Sequence, residues 1–241
     1  MAIALTIFTT QVVVLLPNLD TAKLPSASQQ ACIYAALEEY SRDRPDMEID
    51  DVTGDGGRFY DIATVMTAWS EGFSRVQSVE YPAATIADDE EPQYLDPEDW
   101  RDDYWAADKR YLYLPNHAPA ATETMRVTYT VPYAFSGTPS ATTVPAQDFY
   151  AICNLAAALC CEALAAGYSP SSEASTLNAD SVQHRSRAQE YAARAKEFRA
   201  FYELHLGLGK ESEPKAAGAF VDWDTTPGWP AGRQYVFHGN R

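Results

Sequence analysis

The sequence predicts an α+β protein: a three-helix framework with an antiparallel β-rich insertion and an extended C-terminal arm. Two changes in the hydrophobic pattern predict this class. Apolar residues recur at helical spacing before Pro45 and again after Pro145, whereas the residues between them mix prolines, glycines and acids with strand-like alternation. Residues 1–209 are predicted to form one domain, with the insertion at 46–144, and residues 210–241 to form the arm.

The first framework helix is predicted at residues 27–44. Ile33, Leu37 and Tyr40 recur at positions i, i+4 and i+7, which makes one apolar stripe on a helix of about four turns. The run from Ser26 to Gln29 has the form of a capping box at its start. Pro45 ends the helix because the residue before a proline is disfavoured in helical geometry.

Strands are predicted within the insertion, most clearly where apolar and polar residues alternate at 125–131. Weaker candidates lie at 111–114, 75–81 and 58–62. Residues 86–110 hold ten acidic and three basic residues, and such a charge run is typical of a solvated loop.

Two more framework helices are predicted at 146–166 and 178–206. Pro145 is suited to the first position of a helix, and Asp148 falls in the first turn, where the helix dipole favours an acid. A broad stripe rich in alanine and cysteine predicts a helix packed on several sides. Leu37, Leu159 and Phe198 are predicted to be buried between the helices.

The last 32 residues combine prolines and glycines with large aromatic residues, which a merely disordered tail would lack. We expect this arm to bind a partner, with packing against its own domain as the alternative. The predicted partner-binding residues are Phe220, Trp223, Trp229, Tyr235 and Phe237.

The sequence suggests no metal site. The run Asp51-Val-Thr-Gly-Asp-Gly places oxygen ligands and a glycine as a calcium loop does, but the twelfth position is Ile62, where an EF-hand requires glutamate. A turn stabilised by Asx and glycine geometry is therefore predicted. No spacing of Cys32, Cys153, Cys160 and Cys161 supports zinc, and buried free thiols are expected.

No catalytic or cofactor-binding residue is predicted. The acidic run 88–91 could supply a pair of glycosidase carboxylates, but that chemistry needs one carboxyl in an apolar pocket. The four histidines are scattered, and no phosphate-binding or nucleophile motif is present. A carboxylate-based hydrolase is thus the less favoured alternative.

The net charge of −16 argues against a surface that grips nucleic acid, because such a surface needs clustered lysine and arginine. It also argues against binding to an anionic membrane. No apolar run is expected to reach membrane-spanning length, and the apolar N-terminal segment lacks the basic residues of a secretory signal.

Several motifs, taken in order, resemble those of the head-to-tail connector (adaptor) proteins of tailed bacteriophages. They are Tyr40-Ser-Arg-Asp-Arg-Pro, Asp51-Val-Thr-Gly-Asp-Gly, Trp69 with Gly72-Phe-Ser-Arg, and Val79-Glu-Tyr-Pro, followed by the alanine-rich helix and the Tyr191-Ala-x-x-Ala helix. The similarity covers roughly residues 30–206.

The resemblance implies a structural virion protein at the neck of the particle, made in the host cytoplasm. Such proteins form homo-oligomeric rings, typically dodecameric, between the portal protein and the tail or neck proteins. They line the passage for DNA, and the negative charge suits passage without specific binding. The alternative within phages is a tail completion or minor capsid protein.

Overall fold

The computed structural model describes residues 2–17, 20–83, 91–106, 109–137, 140–168 and 187–208, and the statements below concern these residues. The chain is mixed α and β, which confirms the α+β class. The helices are α1 (Leu5–Leu15), α2 (Ser26–Asp43), α3 (Ile62–Val65), α4 (Phe149–Tyr168) and α5 (Arg187–Leu206). The strands are β1 (Ile3–Ala4), β2 (Asp46–Thr53), β3 (Phe59–Asp61), β4 (Val76–Glu80), β5 (Arg101–Ala106), β6 (Lys109–Tyr113), β7 (Thr124–Val131) and β8 (Ala141–Thr142).

Four helices share one apolar core, in which α4 packs against α1, α2 and α5. The predicted broad face of α4 thus has a neighbour on several sides. Helix α1, which the sequence analysis did not predict, buries Phe8 and Val12 in this core. The rings of Phe135 and Phe149 meet Phe8 edge-to-face at centroid distances of 5.3 and 4.8 Å.

The predicted capping box at the start of α2 does not form. Ser26 already lies inside the helix, and the carbonyl of Pro25 accepts the backbone N–H groups of Ser28 and Gln29. The Gln29 side chain instead donates to the carbonyl of Leu24 at 3.0 Å. The apolar stripe of Ile33, Leu37 and Tyr40 is buried as predicted.

Two three-stranded antiparallel sheets make up most of the insertion, in the orders β2-β7-β4 and β3-β6-β5. Side chains from both sheets form the second apolar core, with Val79, Leu112 and Val127 fully buried. A small pair, β1 with β8, joins the N-terminus to the segment before α4.

Each of the four predicted strand regions overlaps a strand: 125–131 overlaps β7, 111–114 overlaps β6, 75–81 overlaps β4 and 58–62 overlaps β3. Strands β2 and β5 of the same two sheets were not predicted. Strand β2 overlaps the segment read as a turn, and its acidic residues hide its alternation. Strand β5 lies inside the acidic run read as a solvated loop, where Asp102 accepts a hydrogen bond from the buried Arg110 side chain at 3.2 Å.

Helix α4 differs from the prediction in where it begins and in which residues of its apolar face are buried. A single 3₁₀ turn, Ala146–Asp148, precedes it, and Pro145 is the extended residue before that turn. Leu37 is fully buried, whereas Leu159 and Phe198 are only partly buried against the helical core. The buried centre of α4 instead includes Leu155.

The segment Ala146–Tyr168 is the one helix among the described residues with the length and apolar composition of a membrane span. Within this segment, 56% of the most apolar 18-residue stretch is buried inside the protein. The predicted helix at 178–206 corresponds to α5 from residue 187 onward, and residues 178–186 lie outside the described residues.

Candidate functional site

A buried carboxylate joins three elements of the helical core. Asp148 is 1% exposed, and it accepts hydrogen bonds from the Tyr40 hydroxyl at 2.7 Å and the Arg44 guanidinium at 3.0 Å. His205 Nε2 lies 2.9 Å from its other oxygen. We call Asp148, Tyr40, Arg44 and His205 the Asp148 junction, because it ties the end of α2 and the end of α5 to the start of α4.

The electrostatics of the junction are those of a structural contact. Burial, together with the hydrogen bond to the Asp148 carboxylate, raises the pKa of the Tyr40 phenol well above its ordinary value. The pKa of Tyr202 on α5 is raised for the same reasons, because this phenol is buried and its hydroxyl donates to Asp43 at 2.6 Å. Both phenols therefore stay neutral donors at physiological pH.

The last turn of α2 explains the first motif of the resemblance, since nearly all of its polar residues bind another residue. Ser41 Oγ accepts the backbone N–H of Tyr133 at 3.0 Å, and Arg42 pairs with Glu38 on the same helix. Asp43 accepts the hydroxyl of Tyr202 on α5, and Arg44 donates to Asp148 at the start of α4. The motif Tyr40-Ser-Arg-Asp-Arg thus fixes how the helices meet at the point where the chain enters the insertion.

The second group of motif residues organises the insertion. The Trp69 ring packs against Tyr129 at a centroid distance of 5.7 Å, and the Arg110 guanidinium lies 5.3 Å from the ring centre. Gly72 has a φ of +81°, in the left-handed region that glycine tolerates best, and it allows the turn before β4. The carbonyl of Arg75, just before β4, accepts the backbone N–H of Thr130 and so extends the pairing of β4 with β7.

The calcium-like run contains a turn, as predicted. Asp55 Oδ1 accepts the backbone N–H of Gly57 at 2.7 Å, which is an Asx turn. A β-carbon at Gly54 would lie 2.3 Å from the carbonyl oxygen of Pro119, so only glycine fits there. The described residues contain no group of three or more His, Cys, Asp or Glu side chains that could hold a metal ion.

A shallow depression of about 370 Å³ lies beside the cis bond before Pro82 and is lined by Asp51, Glu123 and Arg126. Asp51 pairs with Arg126 at 2.8 Å. Glu123 accepts the Tyr81 hydroxyl at 2.6 Å, a bond that lowers the pKa of this carboxyl. Both carboxylates are thus engaged within the protein, which is not the environment of a general acid.

The remaining candidate side chains form no catalytic or metal-binding group among the described residues. Cys32, predicted to be buried, is only half-buried and lies beside Cys160. The four thiols are free, and burial raises the pKa of Cys153 to about 12 and that of Cys161 to about 11. His117 packs against the Tyr81 ring, and His205 belongs to the Asp148 junction. Residues 88–90 of the acidic run, and the other two histidines, lie outside the described residues.

Exposed large apolar side chains include three groups on α1, α5 and β2, besides Tyr34, Phe59, Tyr94 and Tyr150 elsewhere. The first, the α1 face, consists of Ile7, Val13 and Val14 on a helix that contains no charged residue. The second, the α5 stripe, consists of Phe201 and Leu204 on α5 and Leu208 just after the helix ends. The third is the outer face of β2, with Met47 and Ile49. Contiguous exposed apolar patches are typical of surfaces that contact other proteins, whereas single exposed apolar residues are common on any protein surface.

None of these surfaces was predicted from the sequence. The only available signal was the uncharged N-terminal segment, since exposure of the other residues depends on the tertiary fold. The predicted arm residues, Phe220, Trp223, Trp229, Tyr235 and Phe237, lie outside the described residues. No family model, curated protein or solved structure matches this chain in the comparisons with known proteins.

Proposed function

We propose that this chain is a structural virion protein, a head-to-tail connector of a tailed phage that forms a ring between the portal protein and the tail. The observation that carries the proposal is the exposure of apolar side chains on three surfaces, the α1 face, the α5 stripe and the outer face of β2. A ring subunit needs two surfaces for its neighbours and a further one for the next component.

The roles of the motif residues support the same proposal. Tyr40 and Arg44 hold the helical core together, and Trp69 packs within the insertion. Residues with such roles suit a protein that acts through its shape rather than through chemistry. On this proposal the chain is not an enzyme, needs no cofactor, and allows DNA to pass because its net charge of −16 repels phosphates.

The proposal also assigns a role in the ring to each part of the chain. The helices α2, α4 and α5 form the framework of the ring, and the β-rich insertion faces a neighbouring component. Residues 210–241 act as an arm that binds a neighbouring subunit or a partner protein. The location that follows is the neck of the virion, with no role for a membrane.

The test is the mass of the purified chain, alone and mixed with portal rings. A twelve-copy ring has a mass of about 320 kDa against 26.6 kDa for a single chain. We expect Val14→Glu, which places a charge on the α1 face, to reduce assembly without changing the melting temperature. Gln30→Glu is the matched control, since it adds the same charge at an exposed polar position of α2.

A chain that stays a single copy and ignores portal rings would contradict the proposal. Binding to capsid shells instead of portals would indicate the alternative, a minor capsid protein. Hydrolysis of a glycan or peptide by the single chain would indicate an enzyme.

A further inference from the structure

We propose that residues 233–238 of one copy add as an antiparallel strand to the free edge of β2 in a neighbouring copy. The inference rests on the proposed ring and arm, and it names the surface that the arm occupies. Addition of a strand to an exposed sheet edge is a common mode of peptide recognition, in which backbone hydrogen bonds give affinity and alternate side chains give specificity.

The edge of β2 is available for such pairing. β2 pairs with β7 on one side, and no other described residue pairs with its opposite side. Continuing the β2–β7 ladder, the Gly54 N–H donates to the Glu123 carbonyl at 2.9 Å. Because bonded positions alternate along a strand, the backbone groups of Met47, Ile49 and Asp51 point toward the open edge. The Met47 N–H there donates to the Asp46 carboxylate at 3.0 Å, a bond that an added strand would replace.

The side chains along this edge define what can bind. Met47 and Ile49 are 47% and 56% exposed and lie on the same face, because they are two residues apart. The strand also carries four acids and no base: Asp46, Glu48, Asp50 and Asp51. Two β2 edges brought together would place like charges opposite each other, so the occupant is a neutral or basic strand.

The C-terminal segment has the matching chemistry. Residues 225–241 contain two arginines, Arg233 and Arg241, and no acidic residue. Residues 233–238, Arg-Gln-Tyr-Val-Phe-His, lie between two glycines, and they contain three of the residue types most favoured in strands. The segment is therefore basic, apolar and suited to an extended conformation.

One register satisfies all these features. In antiparallel pairing, Phe237 lies opposite Met47, Tyr235 opposite Ile49, and Arg233 opposite Asp51. Apolar side chains then meet apolar side chains on the outer face. Arg233 approaches the Asp51 carboxylate, which is 53% exposed and also pairs with Arg126 on β7 at 2.8 Å. A parallel arrangement that aligned the same residues would place Arg233 opposite Met47 and lose the charge pair.

The choice of a neighbouring copy follows from the proposed ring, and the chain is long enough for it. Residues 209–232, 24 in number, separate the end of the described chain at Leu208 from the segment 233–238. At up to ~3.3 Å per residue, this length of chain can reach an adjacent subunit.

The test is a disulfide cross-link in the full-length chain. Tyr235→Cys is combined with Ile49→Cys in a Cys32→Ser background, which removes the half-buried native thiol. Directly opposed bonded residues have Cα atoms about 5.5 Å apart, which suits a disulfide. After oxidation with copper phenanthroline we expect covalent dimers and higher ladders whose yield rises with protein concentration.

The matched control replaces Ile49→Cys with Glu48→Cys, one residue away and on the opposite face of the strand. We expect a much lower yield from this pair. Arg233→Glu, added to the 49–235 pair, should lower the cross-link yield by about two- to fivefold, because the pair with Asp51 becomes repulsive.

A cross-link only within single chains would overturn the choice of a neighbouring copy. Absent cross-links, or equal yields from the 48–235 and 49–235 pairs, would overturn the strand addition itself. The proposed function is tested separately: if removal of residues 212–241 abolishes joining to the portal while the 49–235 pair fails to cross-link, the arm acts at another surface.

Discussion

At the scale of single residues, Asp148 shows what a sequence pattern can and cannot predict. The sequence predicted Asp148 in the first turn of the helix after Pro145, where the helix dipole favours an acid, and the structure places it in the 3₁₀ turn that precedes α4. Its role as the buried acceptor for Tyr40, Arg44 and His205 was not predicted, since these partners lie 57 to 108 residues away in the chain. Contacts over such separations leave no periodicity in the sequence.

The junction leads to a prediction about stability. Asp148→Asn removes the buried charge that faces Arg44 and His205 and weakens the acceptor of the Tyr40 hydroxyl. Breaking a buried charged contact of this kind costs about 3 kcal/mol of unfolding free energy. Glu38→Gln, the same change at an exposed pair with Arg42, should cost less than about 0.5 kcal/mol. Urea denaturation of both variants measures the difference, and equal losses would show that the junction is not a stabilising contact.

At the scale of elements, prediction succeeded where one face of an element is apolar and the other polar. Helix α2 and strand β7 have that pattern, so their periods of 3.6 and 2 are visible. Helix α1 lacks charges on every face, so no stripe stands out. Strand β2 was missed because its acids dominate its composition, and its pairing with β7 decides its conformation.

Helix α1 belongs to the helical core, and two adjacent residues test this. Phe8 is fully buried between Phe135 and Phe149, whereas its neighbour Ile7 is 51% exposed. Phe8→Ala should therefore cost about 3–5 kcal/mol of unfolding free energy, and Ile7→Ala less than about 1 kcal/mol. Thermal or urea unfolding gives both values. Similar small losses would mean that α1 is not packed in the core in solution.

At the scale of the whole molecule, charge and apolar surface are distributed unevenly. Residues 212–241 contain three acids and three bases, so the rest of the chain carries the whole net charge of −16. The same 30 residues hold the five aromatic residues predicted to bind a partner. The α+β class and most helices could be predicted, but the exposed surfaces could not, because they depend on which sides of α1, α5 and β2 the fold covers.

Deleting residues 212–241 should leave the fold intact, because α5 already ends with its own stop signal. Gly207 has a φ of +74°, and the backbone N–H of Leu208 donates to the carbonyl of Glu203 at 2.9 Å, which closes the helix as a Schellman motif does. We expect the melting temperature to change by less than about 3 °C, since no described core residue is lost.

Joining to the next component should weaken at least tenfold, because buried tryptophan and tyrosine anchors are each worth about 2 kcal/mol at an interface. The deletion leaves the net charge at −16, so a loss of binding cannot be attributed to a change in overall charge. The double variant Trp223→Ala/Trp229→Ala in the full-length chain is the control for chain length. If the truncated chain unfolds, residues 212–241 belong to the core of the subunit. If it folds and joins its partner with unchanged affinity, the aromatic residues serve no contact between components, and the surfaces on α1, α5 and β2 must hold the assembly together.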